Sequence, residues 1–129
     1  MKKIGQNRLD AMTDAVVDAA FAVHRAVGPG LLEGAYEACL AYEILERGLK
    51  IEKQKMLPLR YKDISLECGF RIDLMVEDTV LIELKSVEVI HPIHKAQILS
   101  YLKMTQCPVG YLINFNVVYL KDGLHRFRL

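Results

Sequence analysis

The sequence has little cysteine and no excess of charge of either sign. Its three cysteines, Cys39, Cys68 and Cys107, are odd in number and show no C-x-x-C spacing. This argues against a disulfide framework or a cysteine zinc site and favours a reducing cytoplasm. The four histidines also lack a zinc-binding spacing such as H-E-x-x-H. Because the net charge is only +1, any binding of nucleic acid must come from a local patch rather than from the overall field.

Long apolar runs, repeats and flexible linkers are also missing. No apolar run approaches the ~18 residues that a membrane span needs, so we expect no association with a membrane. Residues 4–10, IGQNRLD, do not form the apolar centre of a signal peptide. Hydrophobic residues make up 52% of the chain and charged residues 26%, which is typical of a globular protein. We therefore predict a single domain, residues 1–129, located in the cytoplasm.

Two predicted strands carry charges where a sheet normally avoids them. Apolar residues occupy the even positions from Ile64 to Val76, which predicts a half-buried strand. Asp73 falls on the opposite, less apolar face of that strand. In the next strand, Val80–Lys85, alternation places Glu83 and Lys85 on one face. The charged residues of both strands therefore have to be explained together.

The loop between these strands decides how their charges meet. With a loop of three residues, Glu77–Thr79, Val76 pairs with Val80. The same register sets Asp73 opposite Glu83. Like charges directly opposite each other are destabilising, so two such carboxylates need a proton, a basic neighbour or a metal ion. Taken alone, these residues are more often solvated charges on an exposed face.

Helical periodicity and chain breakers organise the rest of the sequence. Three helices are predicted, over residues 7–27, 32–47 and 91–105. Five further strands are predicted, over residues 51–56, 57–61, 109–115, 117–121 and 124–128, with Asp122-Gly123 as a hairpin turn between the last two. Gly69 marks a predicted bulge. Because a helix separates strands 80–85 and 109–115, we expect these two strands to be parallel in a mixed sheet with helices packed on it.

Three carboxylates and one lysine are candidates for a metal site. If the second helix packs over the polar face of the strands, Glu33 converges with Asp73 and Glu83. Such oxygens suit Mg²⁺ or Mn²⁺, and the backbone carbonyl of Leu84 could add another ligand. Lys85 could then hold or deprotonate an attacking water, or stabilise the charge of a phosphate.

The third predicted helix carries a polar stripe of His94, Gln97 and Tyr101 at positions i, i+3 and i+7. On spacing alone, a half-buried helix face is the commoner explanation. The functional alternative is that Gln97 orients Lys85 or a phosphate, while Tyr101 closes a pocket.

Basic residues form two groups that could contact phosphates. The first contains Lys50, Lys53, Lys55, Arg60 and Lys62, and the second His125, Arg126 and Arg128. The alternative, a solvated sheet edge protected from aggregation by its lysines, fits equally well.

Several segments of the chain resemble known families. GPGLLEGAYEACL, RIDLMVEDTVLIELKSV, AQILSYLK and YLINF together resemble the GxxExxY family, whose signature matches Gly30, Glu33 and Tyr36. The motifs D…E-x-K and Q-x-x-x-Y, in this order, resemble those of the PD-(D/E)XK nuclease superfamily. The GxxExxY proteins look like small members of that superfamily. Ile72 stands where the superfamily's name has proline.

This resemblance implies a fold, a reaction and a set of roles. The implied fold is α/β (α+β), a restriction-endonuclease-like mixed β-sheet flanked by helices. The implied reaction is Mg²⁺-dependent hydrolysis of phosphodiester bonds in DNA or RNA. By the same resemblance, Asp73 and Glu83 bind the metal and Lys85 positions the water. Glu33 is the helix acid that completes or orients the site. The supporting residues are Gln97 and Tyr101.

Two alternatives to an active nuclease remain open. One is a catalytically silent module of the same fold that binds nucleic acid without cutting it. The other is a structural oligomer, such as a homodimer, in which the predicted C-terminal hairpin from Val117 pairs with another copy. The oligomer is compatible with either of the other functions.

Overall fold

A computed structural model describes residues 2–129, apart from the side chain of Cys68, whose predicted place on the apolar face therefore lies outside the description. It contains three α-helices and five β-strands. The helices are α1 (Gln6–Val27), α2 (Glu33–Glu46) and α3 (Pro92–Thr105). The strands are β1 (Ile51–Tyr61), β2 (Ile64–Val76), β3 (Val80–Lys85), β4 (Val109–Asn114) and β5 (Leu124–Arg128).

The five strands form one mixed sheet in the order β1-β2-β3-β4-β5. Strands β3 and β4 are parallel, as predicted from the helix between them, and the other neighbours are antiparallel. Every residue of β4 is buried, because this strand lies inside the sheet with helices on both sides. The predicted α+β sheet flanked by helices is confirmed.

Helices cover both faces of the sheet and create two hydrophobic clusters. One cluster joins α1 and α2 to the sheet residues Leu74, Val76, Val80, Ile82, Leu84, Val109, Tyr111 and Ile113. The other joins α3 to Ile72, Met75, Leu81 and Leu112. Since no face of β3 is left to water, its charged residues enter covered surroundings rather than a solvated face.

The first two helices follow the predicted apolar stripes closely. Leu9, Met12, Val16, Ala19 and Val23 of α1 are all buried. In α2 the buried line contains Tyr36, Leu40 and Ile44, also as predicted. Gly28 follows α1 with a φ of 69°, and Gly48 lies beyond the end of α2 with a φ of 82°. These left-handed conformations are available to glycine at little cost.

Two strand predictions are wrong. The two short strands predicted over 51–56 and 57–61 are one strand, β1, because Pro58 lies in an edge strand where its missing N–H breaks no essential bond. The predicted hairpin at Asp122-Gly123 is absent from the described residues. Leu120–Asp122 instead forms a 3-10 turn, and β5 pairs with β4. Strand β5 pairs with the free edge of β4, which is longer than the strand predicted over residues 117–121.

The apolar alternation of β2 does not stay on one face, contrary to our expectation. Leu74 packs in the cluster under α1 and α2, whereas Ile72 packs in the cluster under α3. The change of face occurs at Asp73. On the neighbouring strand Gln54 has a left-handed φ of 50° at the same level. Because both sheet faces are covered by helices, an apolar residue is buried on either side.

The predicted bulge at Gly69 is confirmed. The β1–β2 register shifts between Leu57 and Leu59. A Cβ atom on Gly69 would lie 1.6 Å from the backbone oxygen of Leu57, so only glycine fits this close approach.

Within residues 2–129, no helix is both long enough and apolar enough to cross a membrane.

Candidate active site

The loop between β2 and β3 has the predicted length and sets the predicted register. Val76 pairs with Val80, and the ladder continues to Leu74 and Ile82. Glu77 and Asp78 in the loop both have a left-handed φ, 50° and 51°. One step further along this register, Asp73 lies opposite Glu83.

Asp73 and Glu83 are joined by backbone hydrogen bonds. The backbone N–H of Asp73 donates to Oε1 of Glu83, 3.1 Å away. The N–H of Leu84 donates to Oδ2 of Asp73 at 2.8 Å. Carboxylate oxygens thus take the place of backbone carbonyls where the β2–β3 ladder ends, and the strands hold both acids at one point.

Glu83 is only 7% exposed. Burial, and secondly the charge of Asp73, raise the pKa of Glu83 to about 8, while the N–H of Asp73 and the charge of Lys85 act in the opposite direction. At neutral pH the metal-free pair therefore holds a proton.

Lys85 lies two residues beyond Glu83, on the same face of β3, and is half-buried. Its Cα pairs with that of Asn114 in β4. Among residues 2–129 it forms no salt bridge within 4.0 Å. Its ammonium group is therefore available to another anion near the two carboxylates.

Asn114 fixes the chain that follows Lys85. Its Oδ1 accepts the N–H of Val87 at 3.1 Å, and its Nδ2 donates to the carbonyl of Val87 at 2.9 Å. The asparagine is 3% exposed. Because this buried side chain bonds both the N–H and the carbonyl of Val87, it holds the backbone that follows β3 in a fixed position.

The polar stripe of α3 faces the same end of the sheet. Burial, and secondly the charge of Glu83, raise the pKa of Tyr101, while a hydrogen bond with the side chain of Gln97 opposes the rise. The ring of Tyr101 stacks on Phe70 of β2, with 4.8 Å between ring centroids. Tyr101 is buried and Gln97 exposed, so the stripe runs from the covered carboxylates to the solvent.

His94 occupies the outer end of this stripe. Its Nδ1 accepts the N–H of His91 at 3.1 Å. Burial, followed by the charges of Lys85 and His91, lowers the pKa of His94, and the charge of Glu33 opposes this. These influences place His94 within the electrostatic reach of both Lys85 and Glu33.

Glu33 is the first residue of α2, and the loop before it is tightly held. The hydroxyl of Tyr36 donates to the carbonyl of Gly28 at 2.6 Å and accepts the N–H of Leu31 at 3.1 Å. The hydroxyl of Ser86, the residue after Lys85, donates to the carbonyl of Leu31 at 2.5 Å. The start of α2 is thereby tied to the end of β3.

The predicted metal ligands do not all meet. Asp73 and Glu83 come together, with Leu84 between Glu83 and Lys85. Glu33 is exposed, and its charge opposes the fall in the pKa of His94. Across the part of the chain that is described, no group of three or more His, Cys, Asp or Glu side chains is close enough to share a metal ion.

The sequence did not indicate two residues beside Asp73. The Nε2 of Gln54 in β1 donates to Oδ1 of Asp73 at 3.2 Å, and also to the carboxylate of Glu37 in α2. A signal existed for Glu37, which shares a helix side with Glu33. None existed for Gln54, because its role depends on the cross-strand register and on a left-handed backbone.

Basic residues lie along the part of β1 and β2 that extends past the end of β3, here called the β1–β2 extension (residues 55–72, including the turn at residues 62 and 63). Arg60, Lys62 and Arg71 are exposed there. The ammonium group of Lys62 lies 5.5 Å from the ring centroid of Tyr61, which is 56% exposed. Lys55 differs, because it pairs with Glu52 and Asp78.

Comparison with known proteins identifies the superfamily of the chain. No curated protein and no solved structure matches the chain. The model of the PD-(D/E)XK nuclease superfamily matches residues 10–127, a range that includes α2, α3, strands β1 to β4 and every candidate site residue. The chain therefore belongs to the PD-(D/E)XK nuclease superfamily.

Proposed function

We propose that this protein is a cytoplasmic, metal-dependent nuclease that hydrolyses phosphodiester bonds in DNA or RNA. The observation that carries the proposal is the direct linkage of Asp73 and Glu83 at the end of β3, with Lys85 on the same face. A purely structural sheet gains nothing from two carboxylates at a covered position.

The donor set fits a hard divalent cation. Asp73 and Glu83 offer carboxylate oxygens, and the raised pKa of Glu83 marks a pair that a cation would stabilise in its ionised form. Both residues would hold Mg²⁺ or Mn²⁺, with the carbonyl of Leu84 as a further ligand, whereas Glu33 stands apart from the two acids among the described residues. When bound, the ion supplies Lewis-acid stabilisation of the phosphoryl charge.

Lys85 is assigned to the attacking water. The water oxygen forms a new bond to phosphorus as the bond to the leaving oxygen breaks, which gives a phosphate monoester and a hydroxyl group. The ammonium group orients the water and stabilises the negative charge that grows on the phosphate. Its half-burial supports this role, because electrostatic interactions are stronger away from bulk water.

The remaining predicted residues support the site. Gln97 and Tyr101 are assigned to the α3 side of the site, because the charges of Glu83 and Asp73 act on Tyr101, which interacts with the side chain of Gln97. We also propose membership of the GxxExxY group. The hydrogen bonds of the Tyr36 hydroxyl support it, because they give the signature a physical purpose: they hold the loop that presents Glu33.

The exposed basic residues of the β1–β2 extension are the proposed contact with phosphates. Arg60, Lys62 and Arg71 can neutralise backbone charges, and Tyr61 offers a face on which a base can stack. A homodimer would place two such sites on the two strands of a duplex.

A nuclease assay tests the proposal. Wild type is incubated with Mg²⁺ or Mn²⁺ and with single-stranded, duplex and branched DNA and RNA. We expect cleavage that EDTA abolishes and that Lys85→Ala reduces by at least a hundredfold. Lys103→Ala, an exposed lysine at the far end of α3, is the matched control and keeps wild-type activity. Equal rates for wild type and Lys85→Ala on every substrate would refute the proposal.

The second candidate is a module that binds nucleic acid without cutting it, which is favoured by Glu33 standing apart from the two other acids. Calorimetric titration with Mg²⁺ separates the two functions. Saturable binding that Asp73→Asn abolishes supports the nuclease, and the absence of binding supports the module.

A further inference from the structure

Gln54 has an unusual backbone conformation for its place in the fold. It lies within β1 and has a φ of 50°. The backbone of a residue that has a Cβ atom is strained at such a positive φ. In the described chain, the four other non-glycine residues with a positive φ lie in turns or at the end of a helix: Lys62, Glu77, Asp78 and Gln106. A strained residue inside a strand needs a compensating interaction.

The side chain of Gln54 supplies that interaction. Its Nε2 carries two hydrogens and donates to two carboxylates, those of Asp73 in β2 and Glu37 in α2. Hydrogen bonds to charged acceptors are stronger than those to neutral ones. One amide therefore links β1, β2 and α2 beside the site.

These bonds fix both oxygens of Asp73. Gln54 holds Oδ1 and the backbone N–H of Leu84 holds Oδ2. The β1–β2 ladder pairs Lys53 with Leu74 and Lys55 with Ile72, and within the described chain it skips the pair between them. The backbone of Asp73 is thus released from β1, and the side chain of Gln54 controls its carboxylate.

We propose that Gln54 is a positioning residue, which sets the orientation of the Asp73 carboxylate toward Glu83 by tying it to Glu37. The purpose of this positioning rests on the proposed nuclease function. The residue type suits the role, because a neutral amide holds a carboxylate without cancelling the charge that a cation needs. A lysine at this position would compete with the cation, and an asparagine is one methylene shorter.

The test uses Gln54→Gly. Glycine accepts the positive φ, so this variant removes the amide and relieves the backbone strain together, and the protein stays folded. The matched control is Gln106→Gly, because Gln106 also has a left-handed φ, 58°, and among residues 2–129 its side chain bonds only to the carbonyl of Lys103 in the preceding helix.

The first readout is hydrogen exchange of the Leu84 amide in EDTA, which needs neither metal nor substrate. We expect exchange about tenfold faster in Gln54→Gly, an intermediate rate in Gln54→Asn, and the wild-type rate in Gln106→Gly. Wild-type exchange in Gln54→Gly overturns the proposal, as does an equal acceleration in the control.

The second readout is cleavage. For a positioning residue we expect kcat to fall about tenfold with KM unchanged, since substrate contacts remain while the Asp73 orientation is lost. An unchanged kcat overturns the proposal. If wild type cuts no substrate but the Leu84 amide still exchanges faster in Gln54→Gly, the nuclease function fails while the link from Gln54 to Asp73 stands.

Discussion

The backbone N–H of Asp73 donates a hydrogen bond to the buried carboxylate of Glu83, 3.1 Å away, from the adjacent strand. This bond favours the ionised form of Glu83, yet burial and the neighbouring charge of Asp73 outweigh it and raise the pKa of Glu83 to about 8. At neutral pH the protonated form of Glu83 is therefore favoured when no cation is bound.

A pH dependence of stability follows for the metal-free protein. Between pH 4.5 and about 8, native Glu83 keeps a proton that the unfolded chain has lost. The free energy of unfolding therefore falls as pH rises through this window, by on the order of 1 kcal/mol per pH unit, and levels off above it. Glu83→Gln removes the titration and flattens the curve. Urea unfolding in EDTA at several pH values measures this effect.

The exposed Glu88→Gln is the control for this titration and should follow the wild-type curve. Parallel curves for wild type and Glu83→Gln would contradict the raised pKa.

Tyr36→Phe should destabilise the start of α2. The substitution removes the hydroxyl that bonds Gly28 and Leu31 but keeps the ring stacked on Phe115, 4.5 Å between centroids. We expect a loss of about 1–2 kcal/mol in the free energy of unfolding, measured by urea denaturation. Tyr42→Phe changes an exposed tyrosine in the same helix and should have no effect. A loss of the same size in both variants would rule out the specific role of the Tyr36 hydroxyl.

Gly69→Ala and Gly34→Ala should have opposite effects. The added Cβ at Gly69 would collide with the carbonyl oxygen of Leu57, so we expect a loss of about 3 kcal/mol or more. At Gly34, in the first turn of α2, nothing lies within 4 Å of the new methyl group. Alanine there favours the helix by up to about 1 kcal/mol. Thermal unfolding measures the stability of both variants. A Gly69→Ala protein as stable as wild type would contradict the requirement for glycine at the bulge.

The salt dependence of nucleic-acid binding should depend on the β1–β2 extension. Removing Arg60 and Lys62 together should make the fall of log K with log salt concentration shallower, reducing the magnitude of the slope by about 2. Fluorescence anisotropy in EDTA, on a labelled duplex and a single strand, measures the slope without cleavage. The control removes two exposed lysines elsewhere, Lys3 and Lys103. An unchanged slope in the Arg60/Lys62 variant would assign the phosphate contacts to another surface.

The β2–β3 hairpin could be predicted from the sequence because its determinants are local. The side-chain period of two and the three-residue loop together fix which residues face each other. The approach of Asp73 to Glu83 could therefore be predicted from the sequence. The helix boundaries followed from glycine and proline for the same reason.

Features that depend on contacts distant in sequence could not be predicted. Nothing in the sequence around Gln54 indicates that its backbone turns left-handed inside a strand. The position of Glu33 depends on the bond from Ser86 to Leu31 across 55 residues. The final strand was predicted with the correct bounds, Leu124–Arg128, but with the wrong partner, because its pairing with β4 depends on contacts distant in sequence.

The division of β2 between two hydrophobic clusters has a mechanical consequence. Leu74 is anchored under α1 and α2, and Ile72 is anchored under α3. Asp73 is therefore the joint between two separately packed halves of the molecule. A shift of α3 relative to the first two helices would therefore change the backbone at Asp73 before it changed the rest of β2.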